Sequence, residues 1–323
     1  DGDMLALPDL PRGVYDMAFS VASNALLIRV TGPATPGDVY VWDVDSGDLS
    51  LAVESSLAGL DPAAFVLPES LRFAARDGVE LQGLLYRPAD SSHSKPPIVV
   101  NVHGGPTSQS RPTFKAPVQY LVSNGIAVFD VNVRGSTGFG KTYARLDNQE
   151  KRLDSVRDLV DTVVFLSRLE GVNASRVAVM GGSYGGYMVN AVLGAYPGVF
   201  DAGASFVGVS DWVRALSDAS PALKASDRIE YGDIREKKWQ DFYAINSPIN
   251  TADRIAVPLF VQHGVNDPRD PVSESDRIVQ AVRENGGSVT YMRFPDEGHS
   301  ISKEANRVAF YRKLVEFLEQ HLM

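Results

Sequence analysis

The chain of 323 residues contains no cysteine. Disulfide bonds, a thiolate nucleophile and a zinc site with cysteine ligands are therefore excluded. Blocks of like charge are also lacking: the net charge of −9 is spread along the sequence, so we expect neither nucleic acid nor an anionic membrane surface as a partner. No metal-ligand spacing such as H-E-x-x-H is present, and we expect no metal and no other cofactor.

Long apolar runs are absent as well. No stretch reaches the roughly 18 residues that a membrane-spanning helix needs, and the N-terminus shows no basic segment followed by an apolar one. We therefore expect a soluble protein with the cytoplasm as its location. The first residue is Asp1, so the removal of a preceding segment is left open. Hydrophobic residues make up 44% and charged residues 22%, as in an ordinary globular protein.

Short strand-like segments fill the N-terminal part of the chain. Residues 14 to 53 are apolar or alternating over short runs separated by turn residues, which predicts an antiparallel meander of three or four strands. So small a sheet should pack on the rest of the chain. A hairpin with Asp77-Gly78 at its turn follows. We predict two units, an N-terminal β-meander over residues 1–66 and a larger unit over residues 67–323.

Strand-like runs alternate with helical patterns from Ile98 onwards. The predicted strands cover residues 98–102, 126–131, 177–180, 202–207, 258–261 and 289–294. Helices are predicted between them, including one over 273–284, and a final helix with Ser302 as its N-cap. This alternation implies an α/β fold with a mostly parallel, doubly wound sheet. Residues 210 to 250 show no clear strand and should form helices over the top of the sheet, where a pocket needs walls.

One glycine-rich motif carries the strongest chemical signal. Gly181-Gly-Ser-Tyr-Gly185 lies directly between a predicted strand and a predicted helix. A serine hydroxyl becomes a nucleophile on a strained strand-to-helix turn, and that turn needs small residues on both sides. The motif therefore predicts Ser183 as the nucleophile and the Tyr184 backbone N–H as a donor to a developing oxyanion. A glycine turn with an incidental serine is the alternative that this placement disfavours.

A serine nucleophile of this kind needs a histidine base later in the chain. Histidines stand at five positions, namely His93, His103, His263, His299 and His321. Two of them precede Ser183, one lies at a strand end, and one lies two residues from the C-terminus. Elimination leaves His299, in the glycine-bearing loop Pro295-Asp-Glu-Gly-His-Ser300, as the general base.

The acid that orients the histidine should follow a strand end. Asp267 and Asp270 both follow the predicted strand 258–261, and we favour Asp267 because it lies nearer to that strand. The second oxyanion donor is expected in the loop after an early strand. His103-Gly-Gly-Pro106 occupies that place, with Gly105 as the preferred donor and Gly104 as the next. A plain glycine turn ended by Pro106 is the alternative.

With these residues assigned, the chain resembles the prolyl oligopeptidase (S9) family of serine peptidases, nearest to its acylaminoacyl peptidase and dipeptidyl peptidase-like branch. The resemblance rests on segments 103–106, 132–140, 181–187, 263–269 and 295–299, in the family's order within residues 67–323. It implies an α/β-hydrolase fold with a Ser183, Asp267 and His299 triad. It also implies a specificity pocket near Tyr184, Val209 and Trp212, and contact between Arg269 and the substrate.

Departures from the family pattern shape the expected activity. Prolyl oligopeptidases proper place a tyrosine where His103 stands, so Gly105 should complete the oxyanion site here. Residues 14 to 53 resemble roughly the last blade of the propeller that family members usually carry. Ala215 stands where proline-specific dipeptidyl peptidases place an aromatic residue, which disfavours a proline preference.

The sequence therefore predicts a serine hydrolase that acts through an acyl-enzyme on short or acylated peptides. A carboxylesterase acting on small acyl esters is the alternative, since one triad hydrolyses both bonds. A catalytically silent binding module is a third hypothesis, which the complete set of catalytic residue types disfavours. The expected partner is a small ester or a short peptide, and homo-oligomerisation is left open.

Overall fold

The structure, a computed structural model, describes residues 6–89 and 95–323. His93 lies outside the described residues. The first four strands form an antiparallel sheet in the order β1-β2-β3-β4, which confirms the predicted meander. These strands are β1 (Val14–Ser20), β2 (Ala25–Gly32), β3 (Thr35–Asp43) and β4 (Leu49–Val53).

The small sheet packs on the rest of the chain, as expected. Its own core consists of Ile28, Val30 and Trp42. At its border, the buried Gln119 side chain accepts the Val66 backbone N–H at 2.9 Å and donates to the carbonyl oxygens of Val66 and Pro33. The boundary between residues 66 and 67 stays a prediction.

Eight further strands form a mixed sheet in the order β12-β11-β10-β9-β7-β8-β6-β5. The hairpin β5–β6 and the pair β6–β8 are antiparallel, and the remaining pairs are parallel. The strands are β5 (Glu69–Ala74), β6 (Glu80–Tyr86), β7 (Pro97–Val102), β8 (Ala127–Asn132), β9 (Asn173–Gly182), β10 (Ala202–Phe206), β11 (Leu259–Gly264) and β12 (Val289–Phe294). The mostly parallel sheet predicted from the alternating pattern is confirmed.

Helices cover both faces of this sheet. They are α1 (Ala116–Ser123), α2 (Arg152–Leu166), α3 (Tyr184–Ala195), α4 (Trp212–Asp218), α5 (Pro221–Tyr231), α6 (Lys237–Asn246), α7 (Ser273–Glu284) and α8 (Glu304–Leu322), with 3-10 turns at Pro62–Ala64, Tyr143–Arg145, Gln149–Lys151 and Pro248–Arg254. Within residues 6–89 and 95–323, no helix combines the length and apolar character needed to cross a bilayer. Helices α4, α5 and α6 confirm the excursion expected between residues 210 and 250.

Neighbouring residues of the central strands face opposite cores. Val100 and Phe129 pack in one cluster with residues of α2, α3 and α7, whereas Val99 and Val128 pack in another with residues of α1 and α8. Because side chains alternate across a strand, both faces must be apolar, and this explains the continuous apolar runs in the sequence. Such two-sided burial makes the sheet a rigid support for the loops at its edge.

The predicted N-cap of the last helix is wrong by one residue. Helix α8 begins at Glu304, and Lys303 occupies the cap position without a side-chain cap. Ser302 instead donates its hydroxyl and its backbone N–H to the Glu297 carboxylate, at 2.8 and 2.9 Å. Because the Ser302 hydroxyl is hydrogen-bonded to the Glu297 carboxylate, it is not available to cap the helix.

Candidate active site

Four loops meet at one edge of the large sheet. They follow β7, β9, β11 and β12, whose parallel strands end at Val102, Gly182, Gly264 and Phe294. Because the strands are parallel, their carboxyl ends lie at the same edge, which is where ligands bind in sheets of this kind. Each predicted catalytic or oxyanion residue lies in one of these loops or directly after its strand.

Ser183 connects β9 to α3 through a strained turn. Its backbone adopts φ 57° and ψ −120°, a conformation that non-glycine residues rarely adopt and that is concentrated at functional sites. Its backbone N–H donates to the Phe206 carbonyl oxygen at 2.8 Å, which anchors the turn to β10. Tyr184 is the first residue of α3, so its N–H has no carbonyl partner within the helix.

The glycines around Ser183 are required by close backbone contacts. A Cβ on Gly185 would lie 2.2 Å from the Val102 carbonyl oxygen, and one on Gly181 would lie 2.6 Å from the Gly185 carbonyl carbon. Only glycine allows the start of α3 to approach β7 this closely. The small residues that the motif predicted therefore bring the serine turn against the end of the neighbouring strand.

His299 is hydrogen-bonded to Asp267. The distance between His299 Nδ1 and Asp267 Oδ2 is 2.7 Å, the carboxylate is fully buried, and the imidazole is 24% exposed. A carboxylate only accepts, so Nδ1 carries a proton, and in the neutral imidazole the lone pair then lies on Nε2. Among the described residues Nε2 makes no hydrogen bond, and neither does the Ser183 hydroxyl. In free enzymes the hydrogen bond between a nucleophile and its base is often long and tightens only with substrate.

The loops that carry these two residues are joined to each other. The Asn266 backbone N–H donates to the Glu297 carbonyl oxygen at 2.9 Å, and its side-chain amide donates to the Pro295 carbonyl oxygen at 3.1 Å. A Cβ on Gly264 would lie 2.2 Å from the Gly298 carbonyl oxygen. This close packing sets the position of His299 relative to Asp267.

Asp267, rather than Asp270, forms the hydrogen bond to the imidazole of His299. Asp267 Oδ1 accepts the backbone N–H groups of Arg269 and Asp270, at 2.8 and 3.0 Å. Burial raises the pKa of Asp267, but hydrogen bonds from His263, His299 and these two N–H groups outweigh it and hold the pKa well below its ordinary value. Asp270 Oδ2 lies 3.7 Å from His299 Nδ1, and burial raises the pKa of Asp270 to about 6.

A cavity of about 230 Å³ lies beside the serine. Every residue predicted for the specificity pocket or for substrate contact lines it, namely Tyr184, Val209, Trp212 and Arg269. Gly105 lines it as well, at φ 129°, where a Cβ would lie 2.7 Å from the Thr107 nitrogen. Gly104 packs against the serine turn, at a point where a Cβ would lie 3.5 Å from the Ser183 Cβ. The oxyanion roles of the two glycines stay predictions.

A buried arginine behind the cavity was missed by the sequence-based prediction. Arg152 is fully buried and pairs with Asp147 at 3.0 Å and with Glu230 at 2.5 Å. Its guanidinium lies over the rings of Tyr184 and Tyr231, at 5.1 and 4.3 Å from their centroids. This network ties α2 to α5, which forms one cavity wall. The available signal was helical spacing, because Arg152 stands four residues before the buried Val156.

The chain matches known proteins over most of its length. The model of the prolyl oligopeptidase family matches residues 112–323. A dipeptidyl aminopeptidase BIII of Pseudoxanthomonas mexicana is 33% identical over 306 residues, which cover 92% of this chain and 44% of that protein.

Solved structures show the same fold. The crystal structure of a puromycin hydrolase matches with a TM-score of 0.86 and 27% identity, over 95% of this chain and 47% of the other. An acylaminoacyl peptidase of Pyrococcus horikoshii matches with a TM-score of 0.84 and 25% identity, over 97% and 51%. The chain thus spans about half the length of the relatives it matches, and its large sheet has the α/β-hydrolase fold.

Proposed function

The chain belongs to the prolyl oligopeptidase family of serine peptidases, and from this membership we propose that it hydrolyses short or acylated peptides through an acyl-enzyme on Ser183. The observation that carries the proposal is the 2.7 Å hydrogen bond between His299 Nδ1 and Asp267, at the sheet edge where Ser183 adopts its strained turn. In the same proposal, residues 67–323 form the catalytic unit and residues 1–66 the smaller β unit.

Acylation is the first half of the proposed reaction. The Ser183 hydroxyl attacks the substrate carbonyl carbon while its proton passes to His299 Nε2, and Asp267 stabilises the imidazolium that forms. The backbone N–H groups of Tyr184 and Gly105 stabilise the oxyanion. When the tetrahedral intermediate collapses, the bond to the leaving amine breaks and the proton on Nε2 passes to that nitrogen.

In deacylation, a water molecule replaces the serine hydroxyl as the nucleophile, and the same proton transfers follow. Water gives a proton to His299 Nε2 as its oxygen attacks the acyl carbon. The bond to Ser183 Oγ then breaks, and the serine takes the proton back. The acid product leaves, and the enzyme returns to its starting state. No cofactor is required for either half.

Short peptides are the substrates that the site supports best. The part of the cavity lining formed by Trp212, Tyr184 and Val209 suits one apolar or aromatic side chain of the substrate, and charged residues, among them Glu230 and Arg269, line the rest. Relatives named as a dipeptidyl aminopeptidase and an acylaminoacyl peptidase support the release of short or acylated units.

A comparison of leaving groups tests the proposal. We would measure hydrolysis of aminoacyl, dipeptidyl and acylaminoacyl p-nitroanilides and of a short-chain p-nitrophenyl ester, with Ser183→Ala as the control. We expect at least one anilide to be cleaved with a kcat/KM of about 10⁴ M⁻¹s⁻¹ or more. Cleavage of the ester alone would replace the peptidase proposal with the carboxylesterase alternative.

Ala215 leaves room in the cavity, and filling that room should change specificity. We expect Ala215→Tyr to lower kcat/KM for a substrate with phenylalanine before the scissile bond by about 10- to 100-fold, because the new ring occupies the space of the substrate ring. An alanine substrate should lose little. Anilides of the two substrates measure the effect, and Arg214→Tyr, one residue away on the exposed side of α4, is the matched control. Equal losses for both substrates would contradict this assignment of the pocket.

A further inference from the structure

His263 is a fully buried histidine that the proposed mechanism does not use. It lies near the end of β11, four residues before Asp267, and none of its surface is exposed. Its Nδ1 lies 2.7 Å from the Ser275 hydroxyl oxygen, at the start of α7. Its Nε2 lies 2.9 Å from the Asp270 carbonyl oxygen and 3.3 Å from Asp267 Oδ2. A polar ring that is buried this deeply is expected to have a role in the structure or the site, and its hydrogen-bond partners indicate which role.

The partners determine which ring nitrogen carries the proton. Carbonyl and carboxylate oxygens only accept, so the nitrogen that faces Asp270 and Asp267 is the donor, Nε2–H. The Ser275 hydroxyl can donate to the lone pair on Nδ1. A ring with one proton, on Nε2, satisfies all of these contacts and points a fixed donor at the acid loop.

The contacts of His263 join two parts of the turn that holds Asp267. The Asp270 backbone N–H donates to Asp267 Oδ1, and the Asp270 carbonyl oxygen accepts from His263. Asp267 Oδ2 accepts the hydrogen bond from His299 Nδ1 and also lies 3.3 Å from His263 Nε2. If His263 were removed, the turn and the carboxylate plane would both lose a constraint, and the imidazole of His299 would follow the carboxylate.

We propose that His263 is a positioning residue of the active site, which holds the Asp267 carboxylate in the orientation that His299 needs. The Ser275 hydroxyl, through its hydrogen bond with Nδ1, holds the His263 ring in place. The inference rests on the proposed function, because it takes Asp267 as the acid of the triad. It assigns a role to the histidine of the segment His263-Gly-Val-Asn-Asp267, which the sequence placed only at a strand end.

Two substitutions of His263 separate positioning from packing. The glutamine amide nitrogen stands the same number of bonds from Cα as imidazole Nε2, whereas the asparagine amide nitrogen matches Nδ1. His263→Gln can therefore donate to Asp270 and Asp267, and His263→Asn cannot reach them. We expect His263→Asn to lower kcat by about 10- to 100-fold with KM within about threefold of wild type, and His263→Gln to recover most of the loss.

Steady-state kinetics on the best anilide, with Asp267→Asn measured in parallel, give the test. A wild-type kcat in His263→Asn, together with an inactive Asp267→Asn, overturns this inference and leaves the proposed function intact. An active Asp267→Asn overturns the proposed function itself. Equal kcat losses in His263→Asn and His263→Gln would assign His263 to packing and also overturn the inference. His321→Gln, on α8, is the control and should match wild type.

A variant at Ser275 provides a further test if the substitutions of the buried His263 prevent folding. Ser275→Ala retains the imidazole and removes only the hydroxyl that orients it. We expect kcat to fall by about three- to tenfold at unchanged KM, since one hydrogen bond between uncharged groups is lost. An unchanged kcat in soluble Ser275→Ala would contradict the proposed chain from Ser275 through His263 to Asp267.

Discussion

Ser183→Ala should lower kcat by about 10⁴- to 10⁶-fold, because the proposed acyl-enzyme forms on that hydroxyl and no other described residue occupies its place on the β9–α3 turn. His299→Ala should cause a loss of the same order, since members of a triad act as a unit and removing one disables the others. Turnover of the anilide that wild type cleaves best measures both effects.

The Ser183 experiment has a control on the strand that precedes it, β9. Ser175 lies near the start of β9 and is exposed, and within the described part of the chain its side chain hydrogen-bonds only to the nearby Asn173, so Ser175→Ala should retain full activity. A fluorophosphonate probe should label wild type and Ser175→Ala but not Ser183→Ala. A loss of less than tenfold in Ser183→Ala would mean that another residue is the nucleophile. No labelling of wild type would favour the silent binding module.

Asp267→Asn should lower kcat by about 10⁴-fold, with little change in KM. The asparagine keeps the size of the side chain, but its amide can present a donor to His299 Nδ1 and so select the wrong tautomer of the imidazole. The loss of the charge also removes the stabilisation of the imidazolium that forms during acylation. Circular dichroism of the purified variant would establish that the fold is unchanged.

Asp270→Asn is the matched comparison. The Asp270 carboxylate oxygen lies 3.7 Å from His299 Nδ1, beyond hydrogen-bonding distance, whereas the backbone N–H and carbonyl groups of Asp270 make the contacts that support Asp267. Since the substitution leaves both backbone groups in place, kcat should stay within about tenfold of wild type. If Asp270→Asn proved as damaging as Asp267→Asn, the two carboxylates would share the role that we assign to Asp267.

Much of the fold followed from local patterns. The strand and helix rhythm after Ile98 determined the parallel sheet, and the Asp77-Gly78 hairpin and the N-terminal meander appear where their turn residues predict them. The N-cap at Ser302 failed for a physical reason, because the Glu297 carboxylate, five residues earlier in the same loop between β12 and α8, accepts the hydroxyl. A cap pattern shows which residues can begin a helix, and the other hydrogen bonds of the preceding loop decide which one does.

The sequence by itself determined the turn at Ser183. Strand, glycines, serine and helix are consecutive residues, so the strain and the close approach to β7 are specified within one short segment. Only the tertiary structure decided which carboxylate meets His299, why a second histidine is buried against that acid, and how Arg152 pairs with Glu230 across 78 positions. Those contacts depend on distances between loops that are far apart in the sequence, and such distances are set by the packing of the sheet and its helices.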